Sequence, residues 1–347
     1  MKVFDRFFRD IGIDLGTANS LIYLKGKGIV VNEPSVAAVN TKTNQIIAIG
    51  NEAKQMLNRT PAHISVIRPL VGGVISDFDM THELLTQLFK RTADGGFTSY
   101  RKGILAIPDG LTEVERKSVE DVAVNAGCSR VYLIESPIAA ALGANLPINT
   151  PTASLIVDIG GGTSDIAVIS LGGIVSSRTM KQAGDRFNED IIKFVRDEFR
   201  MVIGEPTAEL AKIAVGSAIP LDEKLELPIR GRDMATGLPR EIILKNTHVR
   251  YAIAKSLKAI MDAVKETIES TPPELVGDML GQGIWICGGG ALLRGFDRLV
   301  ERESGVKTRI SEDPLTCVAR GLGRIVEDFE GHGAFLDNPL KPLRISL

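Results

Sequence analysis

At 347 residues with a formal net charge of −2, the chain is long enough for two cores and lacks the basic excess of a dedicated nucleic-acid binder. Hydrophobic residues make up 44% and charged ones 24%, an ordinary globular balance, and no apolar run reaches the roughly 18–20 residues that span a bilayer. Three separated cysteines (Cys128, Cys287, Cys317) and four scattered histidines argue against a disulfide framework or zinc cluster and for a reducing cytoplasm.

The first ten residues form one patterned segment. Met1, Phe4, Phe7 and Phe8 share a helical face, with Lys2, Asp5, Arg6 and Arg9 off it. Two readings stand: a terminus that packs its phenylalanines on the body, or an interfacial helix that sinks them into a membrane while its cations meet anionic headgroups. Charges interrupt the segment too often for a signal peptide. A single copy would bind a bilayer weakly, and many copies on one assembly would bind well through avidity.

Next, Ile11–Tyr23 reads as an apolar strand, Asp14, a turn at Gly16-Thr17-Ala18-Asn19, and a second apolar strand. That is a β-hairpin with a tip of bare backbone, and runs of such N–H groups take phosphate. Residues 33–74 alternate short β-rich runs with turns around a helix at Asn51–Asn58, a small insert. Asp79–Arg91 is an amphipathic helix. Phe97, on the flexible loop after it, is either a second membrane contact or tucked onto the body.

Gly103–Ile107 predicts a buried strand stopped by Pro108. Thr112 and Glu115 then make a capping box for a helix to about Asn125, with Gly127 as its stop. After a strand at Val131–Ile134, Ser136 and Pro137 open a helix as N-cap and N1. Its run of Ala139, Ala140, Ala141, Gly143 and Ala144 permits close packing against a neighbour.

The second half repeats the device. Val157-Asp158-Ile159-Gly160-Gly161-Gly162-Thr163 has the same grammar as the first hairpin, with glycines that allow positive φ and close approach of a ligand. Asp158 cannot itself attract phosphate, so a cation belongs between them, Mg²⁺ held through its waters. A strand near 174–180, Gly184-Asp185, a helix at 186–199 and a helix at 207–215 with Glu209 and Lys212 follow. Two β-rich runs between Leu225 and Leu244 complete a second insert, about 182–245. A long helix at Thr247–Glu269 ends at Thr271-Pro272-Pro273. A third glycine loop, Cys287–Gly295, leads into a helix near 296–303, then a strand at 306–310, a helix at 314–329 and an extended tail from Gly331. This alternation predicts two related α/β halves with mixed sheets, residues 1–148 with 315–347, and 149–314, holding a nucleotide between them.

These motifs resemble the actin, Hsp70 and sugar-kinase superfamily, and within it the MreB family of bacterial actins. The closest likenesses are Ile13–Asn19, Gly26–Val30 with Asn32–Val36, Arg59-Thr60-Pro61, Val157–Thr163 and Gly288–Gly295. The resemblance implies an actin-like fold with ribonuclease H-like cores, and a weak ATPase that binds ATP, or GTP, with Mg²⁺. It also implies self-assembly into paired protofilaments on the inner face of the cytoplasmic membrane. There the family directs cell-wall elongation and rod shape with RodZ-like and MreC/MreD-like partners. By position, Gly16, Thr17, Ala18, Asn19, Gly160, Gly161 and Gly162 would meet the phosphates, with Gly184 and Asp185 nearby. Asp14 and Asp158 would hold Mg²⁺ through water. Glu209, Leu210, Ala211 and Lys212 would line the nucleoside side, and Gly288, Gly289, Gly290 and Ala291 the adenine.

Glu135, Ser136 and Thr163 would form the catalytic set, and here the chain departs from the family. Ser136 stands where the family usually carries a glutamate that polarises the attacking water. A hydroxyl orients water but accepts no proton near neutral pH, so the expectation is normal binding with slow hydrolysis. Leu210 and Ala211 also replace more polar residues. The alternative within the superfamily is a small-molecule kinase, which needs a carboxylate base and a sugar-binding motif. Neither that motif nor the linker and substrate domain of an Hsp70-like chaperone is found.

Overall fold

The computed structural model of the chain describes residues 9–92 and 99–336. They divide into two units, one built from the residues up to Leu146 and from Thr316 onward, the other from Pro147–Leu315. Met1, Phe4, Phe7, Phe8 and Phe97 lie outside the described residues.

The first unit centres on a five-stranded sheet in the order Val131–Glu135, Tyr100–Ile107, Arg9–Leu15, Asn19–Leu24, Gly28–Pro34. The first three run parallel and the last three alternate. The second unit repeats this plan strand for strand, as Thr308–Ile310, Ile284–Cys287, Ser154–Ile159, Ser164–Ser170, Gly173–Met180. In both, the Asp-led hairpin supplies the central strand. Ser154–Ile159 is buried along its whole length, so it reads as a continuous apolar run rather than an alternating one. Smaller three-stranded sheets occupy both insert stretches, Gln45–Ile49, Ala37–Asn40 and Ile64–Ile67 in one unit, and Met201–Val202, Glu226–Asp233 and Pro239–Lys245 in the other.

The capping box forms as the sequence predicts. The Thr112 hydroxyl accepts the Glu115 N–H at 3.3 Å, the Glu115 carboxylate accepts the Thr112 N–H at 2.8 Å, and the helix Glu113–Ala126 stops at Gly127 with φ 130°. Elsewhere the structure corrects the expectation. The Pro272-Pro273 pair separates two helices, Asn246–Glu269 and Pro273–Gln282, because a proline in a first turn removes only an N–H the helix does not use. The last helix is split into a 3₁₀ turn at Pro314–Thr316 and a helix at Cys317–Glu327. The expected extended tail instead begins with Phe329–His332 and Gly333–Phe335, anchored by buried Phe335.

The Ser136–Gly143 helix also begins earlier than predicted. Glu135, extended at ψ 131°, is the N-cap, Ser136 is already helical, and no side chain caps the helix. The strand runs into Glu135 with no intervening turn, which leaves no residue for Ser136 to cap from. The small residues do pack as expected, against Cys317–Glu327, and the Cys317 thiol donates to the Ala140 carbonyl.

Candidate functional site

The two hairpin tips are built alike. Gly16 N–H donates to the Asn19 carbonyl at 3.2 Å, and Gly160 N–H to the Thr163 carbonyl at 2.9 Å, the same bond at matching places. Each tip carbonyl is then tied back: Gly16 O accepts the Ser35 hydroxyl (2.6 Å), and Gly160 O accepts the Gly184 N–H (3.1 Å). Asp185 N–H fixes Gly161 O at 2.8 Å. With the carbonyls occupied, the amides of Thr17, Ala18, Gly161 and Gly162 have no hydrogen-bond partner among the described residues. Oriented amides of this kind form an anion-binding concavity. Gly160, Gly161 and Gly162 do not adopt positive φ, contrary to the expectation, so their use is steric access alone. The positive-φ glycine of the site is Gly288, at +75°.

Behind the second tip the carboxylates are crowded. Asp158 pairs with Asp165 across the ladder, both are nearly inaccessible, and opposed residues share a face. A Cβ on Gly288 would lie 2.4 Å from Asp158 Oδ1, so only glycine permits this approach. Asp165, which the sequence reading missed, accepts the Thr163 hydroxyl at 3.1 Å and the Thr179 hydroxyl. Thr163 has thereby donated its only hydroxyl proton and faces any other partner as an acceptor. No three His, Cys, Asp or Glu side chains gather as direct metal ligands among the described residues. Carboxylates beside unpartnered amides are a set that a hydrated Mg²⁺ would fit.

In the first unit, Asp14 is partly reached by solvent, yet surrounding protein desolvates its carboxyl and raises its pKa from 3.8 to about 7. A raised carboxyl pKa costs stability once the unfolded form has ionised, from about pH 4 upward, and in full above pH 7. Asp14→Asn is therefore expected to stabilise the nucleotide-free protein at pH 8 by up to about 4 kcal/mol and to change little at pH 4. Urea unfolding at the two pH values checks this, and equal effects at both would contradict it.

Glu135 is held by Arg116 at 3.6 Å, while Ser136 is half-buried at the first helical position. In the second unit, Glu209 accepts from Asn188 and Lys212, both at 2.8 Å, and Lys212 also donates to the Gly184 carbonyl. Gly184 thus links the Glu209–Lys212 pair to the Gly160 tip. Leu210 is 54% exposed, whereas Ala211 and Ala291 are wholly buried, so no ligand reaches those two side chains. Gly289 and Gly290 sit in the 3₁₀ turn after Gly288. Asp165 left a sequence signal after all, as the only charged residue of its strand, which is buried throughout.

The family model for MreB/Mbl protein matches residues 8–333. Cell shape-determining protein MreB of Escherichia coli K12 is 46% identical over 335 residues, 95% of this chain and 96% of that one. Cell shape-determining protein Mbl of Bacillus subtilis 168 is 45% identical over 93% of this chain and 97% of its own. The crystal structure of MreB 5 of Spiroplasma citri bound to AMPPNP superposes with TM-score 0.90 at 40% identity, covering 94% of this chain and 98% of that chain. A MamK double helical filament, at 22% identity and TM-score 0.77, shares the fold. With its duplicated sheets, paired Asp-led tips and this breadth of similarity, the chain belongs to the MreB/Mbl family of actin-like proteins.

Proposed function

We propose that this chain is a nucleotide-dependent cytoskeletal filament protein of cell-shape control, working at the inner face of the cytoplasmic membrane. The observation that carries the reading is the pair of matched tips with unpartnered amides, each led by an aspartate. In this reading both tips serve one ATP or GTP, Asp14 and Asp158 hold its Mg²⁺ through water, and the Glu209–Lys212 pair lines the nucleoside side. The ion supplies charge neutralisation of the phosphates when bound. Thr163, held by Asp165, accepts a hydrogen bond from the attacking water, and Ser136 offers no carboxylate to take its proton, so turnover is slow. The AMPPNP held by the similar Spiroplasma citri protein supports the choice of nucleotide.

Membrane attachment draws support from the first unit. The parallel strands starting at Arg9, Tyr100 and Val131 begin at one end of the sheet, and the turn after Asn19–Leu24 lies at that same end. Arg9, Lys25, Lys27, Lys102 and Arg130 gather there, beside an Arg101 that is paired with Asp10 at 2.6 Å. The described chain begins at this end, at Arg9, and returns to it at Tyr100. Each cation near an anionic surface contributes about 1 kcal/mol. No helix among the described residues is long and apolar enough to cross a membrane. RodZ-like and MreC/MreD-like proteins would be the partners of the assembled form.

The test is sedimentation of the full chain with Mg-ATP, with Mg-GTP and without nucleotide. Nucleotide-dependent pelleting with retained nucleotide is expected, and a protein that binds neither would overturn the reading. Flotation with vesicles, with and without residues 1–8, checks the membrane part, and equal flotation would remove the N-terminal segment from it.

A further inference from the structure

Lys212 stands on the nucleoside side in the nucleotide reading, yet its ammonium is bonded toward the phosphate tip. Lys212 Nζ donates to the Gly184 carbonyl at 2.9 Å and to Glu209 Oε2 at 2.8 Å, and its side chain is only 15% exposed. The same Glu209 oxygen accepts Asn188 Nδ2–H at 2.8 Å, and Asn188 is almost wholly buried. A carboxylate oxygen held by two donors, one of them on a buried residue, is a fixed post. It keeps the ammonium in line with Gly184.

Gly184 opens the helix Gly184–Phe199, and no side chain caps that start. First-turn amides have no partner inside their own helix. Here two of them are spent on the second hairpin tip, Gly184 N–H on Gly160 O (3.1 Å) and Asp185 N–H on Gly161 O (2.8 Å). The helix start is thus clasped from both sides, by the tip through its N–H groups and by Lys212 through its carbonyl. Packing in the clasp is close, since a Cβ on Gly184 would lie 3.3 Å from both the Gly160 oxygen and Lys212 Nζ. The first tip is tied differently, by the Ser35 hydroxyl on Gly16 O, so the clasp belongs to the second hairpin.

We propose that Lys212 is a positioning residue for the phosphate tip. Through Gly184 it holds the Gly160–Gly162 backbone in the geometry that accepts phosphate, so its effect extends to a ligand with no nucleoside at all. The proposal rests on the nucleotide reading above and gives one residue of the nucleoside side a second duty in it.

The test titrates the full-length protein with Mg-ATP and with magnesium tripolyphosphate, which carries the phosphate chain without base or ribose. High ionic strength screens direct attraction between the ligand and a distant cation. Lys212→Met should weaken both ligands by a similar factor, about tenfold, the effect of one charge-assisted bond. Lys181→Met, with the same loss of charge at an exposed position shortly before Gly184, should leave both within about twofold. Gly184→Ala crowds the clasp without changing any charge and should weaken tripolyphosphate by about threefold or more. Alanine favours a helix over glycine, so the unfolding midpoint of this variant should not fall.

A loss confined to Mg-ATP in Lys212→Met would make Lys212 a nucleoside contact only and overturn the proposal. Unchanged tripolyphosphate binding in Gly184→Ala, or an equal loss in Lys181→Met, would overturn it as well. So would a wild type that binds Mg-ATP but not tripolyphosphate, because the tip would then be no phosphate site on its own. All of these outcomes leave the nucleotide reading in place, whereas a wild type that binds neither ligand sinks both.

Discussion

Ser136→Glu is expected to raise phosphate release from the polymerised protein by about 10²-fold or more, the size of effect a positioned general base contributes. The geometry favours this gain. Ser136 is the first residue of its helix, half-exposed, and its hydroxyl caps nothing, so the substitution sacrifices no hydrogen bond. A glutamate there gains from the helix N-terminus, which keeps it ionised. The neighbouring acid does not already do the work, because Glu135 belongs to the strand and is drawn to Arg116 at 3.6 Å. Ser136→Gln is the control, with the same length and hydrogen bonding but no base. Single-turnover phosphate release should rise in the glutamate variant only, with nucleotide affinity unchanged in both. A rise in both variants would mean the side chain acts by orienting water, and a rise in neither would remove position 136 from the chemistry.

Hairpins and the Thr112–Glu115 capping box were legible because their signals are local. Asp14 and Asp158 each end an apolar run before a glycine turn, and Thr112 with Glu115 declares a helix start within four residues. The misreadings come from context the sequence does not write down. Gly160, Gly161 and Gly162 were expected to provide positive φ, yet the tip closes with ordinary backbone because the Gly160–Thr163 bond continues the ladder. The helix at Pro273 was missed because a proline pair reads equally as an end and a beginning. Ala211 and Ala291 turn into the core, since helical and 3₁₀ turns present alternate faces. Asp165 stood out in sequence as the single charge in its strand, but its place opposite Asp158 depends on register, and register emerges from pairing.

The close helix packing that the small-residue run anticipates sets up the largest expected loss of stability. Gly321→Ala should destabilise the protein by roughly 3 kcal/mol or more. A Cβ at Gly321 would sit 1.8 Å from the Ala139 carbonyl oxygen, and one at Gly143 would sit 1.8 Å from the Cys317 carbonyl oxygen. Each helix thus presents a glycine to the other's backbone, so the two chains cross with no side chain between them. A flexible side chain could swing away from a new methyl, but a carbonyl inside a helix cannot. Relief would require separating Ser136–Gly143 from Cys317–Glu327, opening a gap among Ala139, Ala140 and Leu322, all of them almost fully buried. Gly277→Ala provides the contrast, because nothing lies within 4 Å of a Cβ there and the helix Pro273–Gln282 would gain about 0.5–1 kcal/mol from the lost backbone freedom. Urea unfolding of both variants should therefore give shifts of opposite sign, and a Gly321→Ala protein as stable as wild type would mean the two helices do not approach this closely. The same crossing fixes the helix that begins at Ser136. At temperatures where Gly321→Ala remains folded, hydrolysis should change even though the substitution lies well away from Ser136 along the chain, because the helix that carries position 136 can no longer seat against its partner.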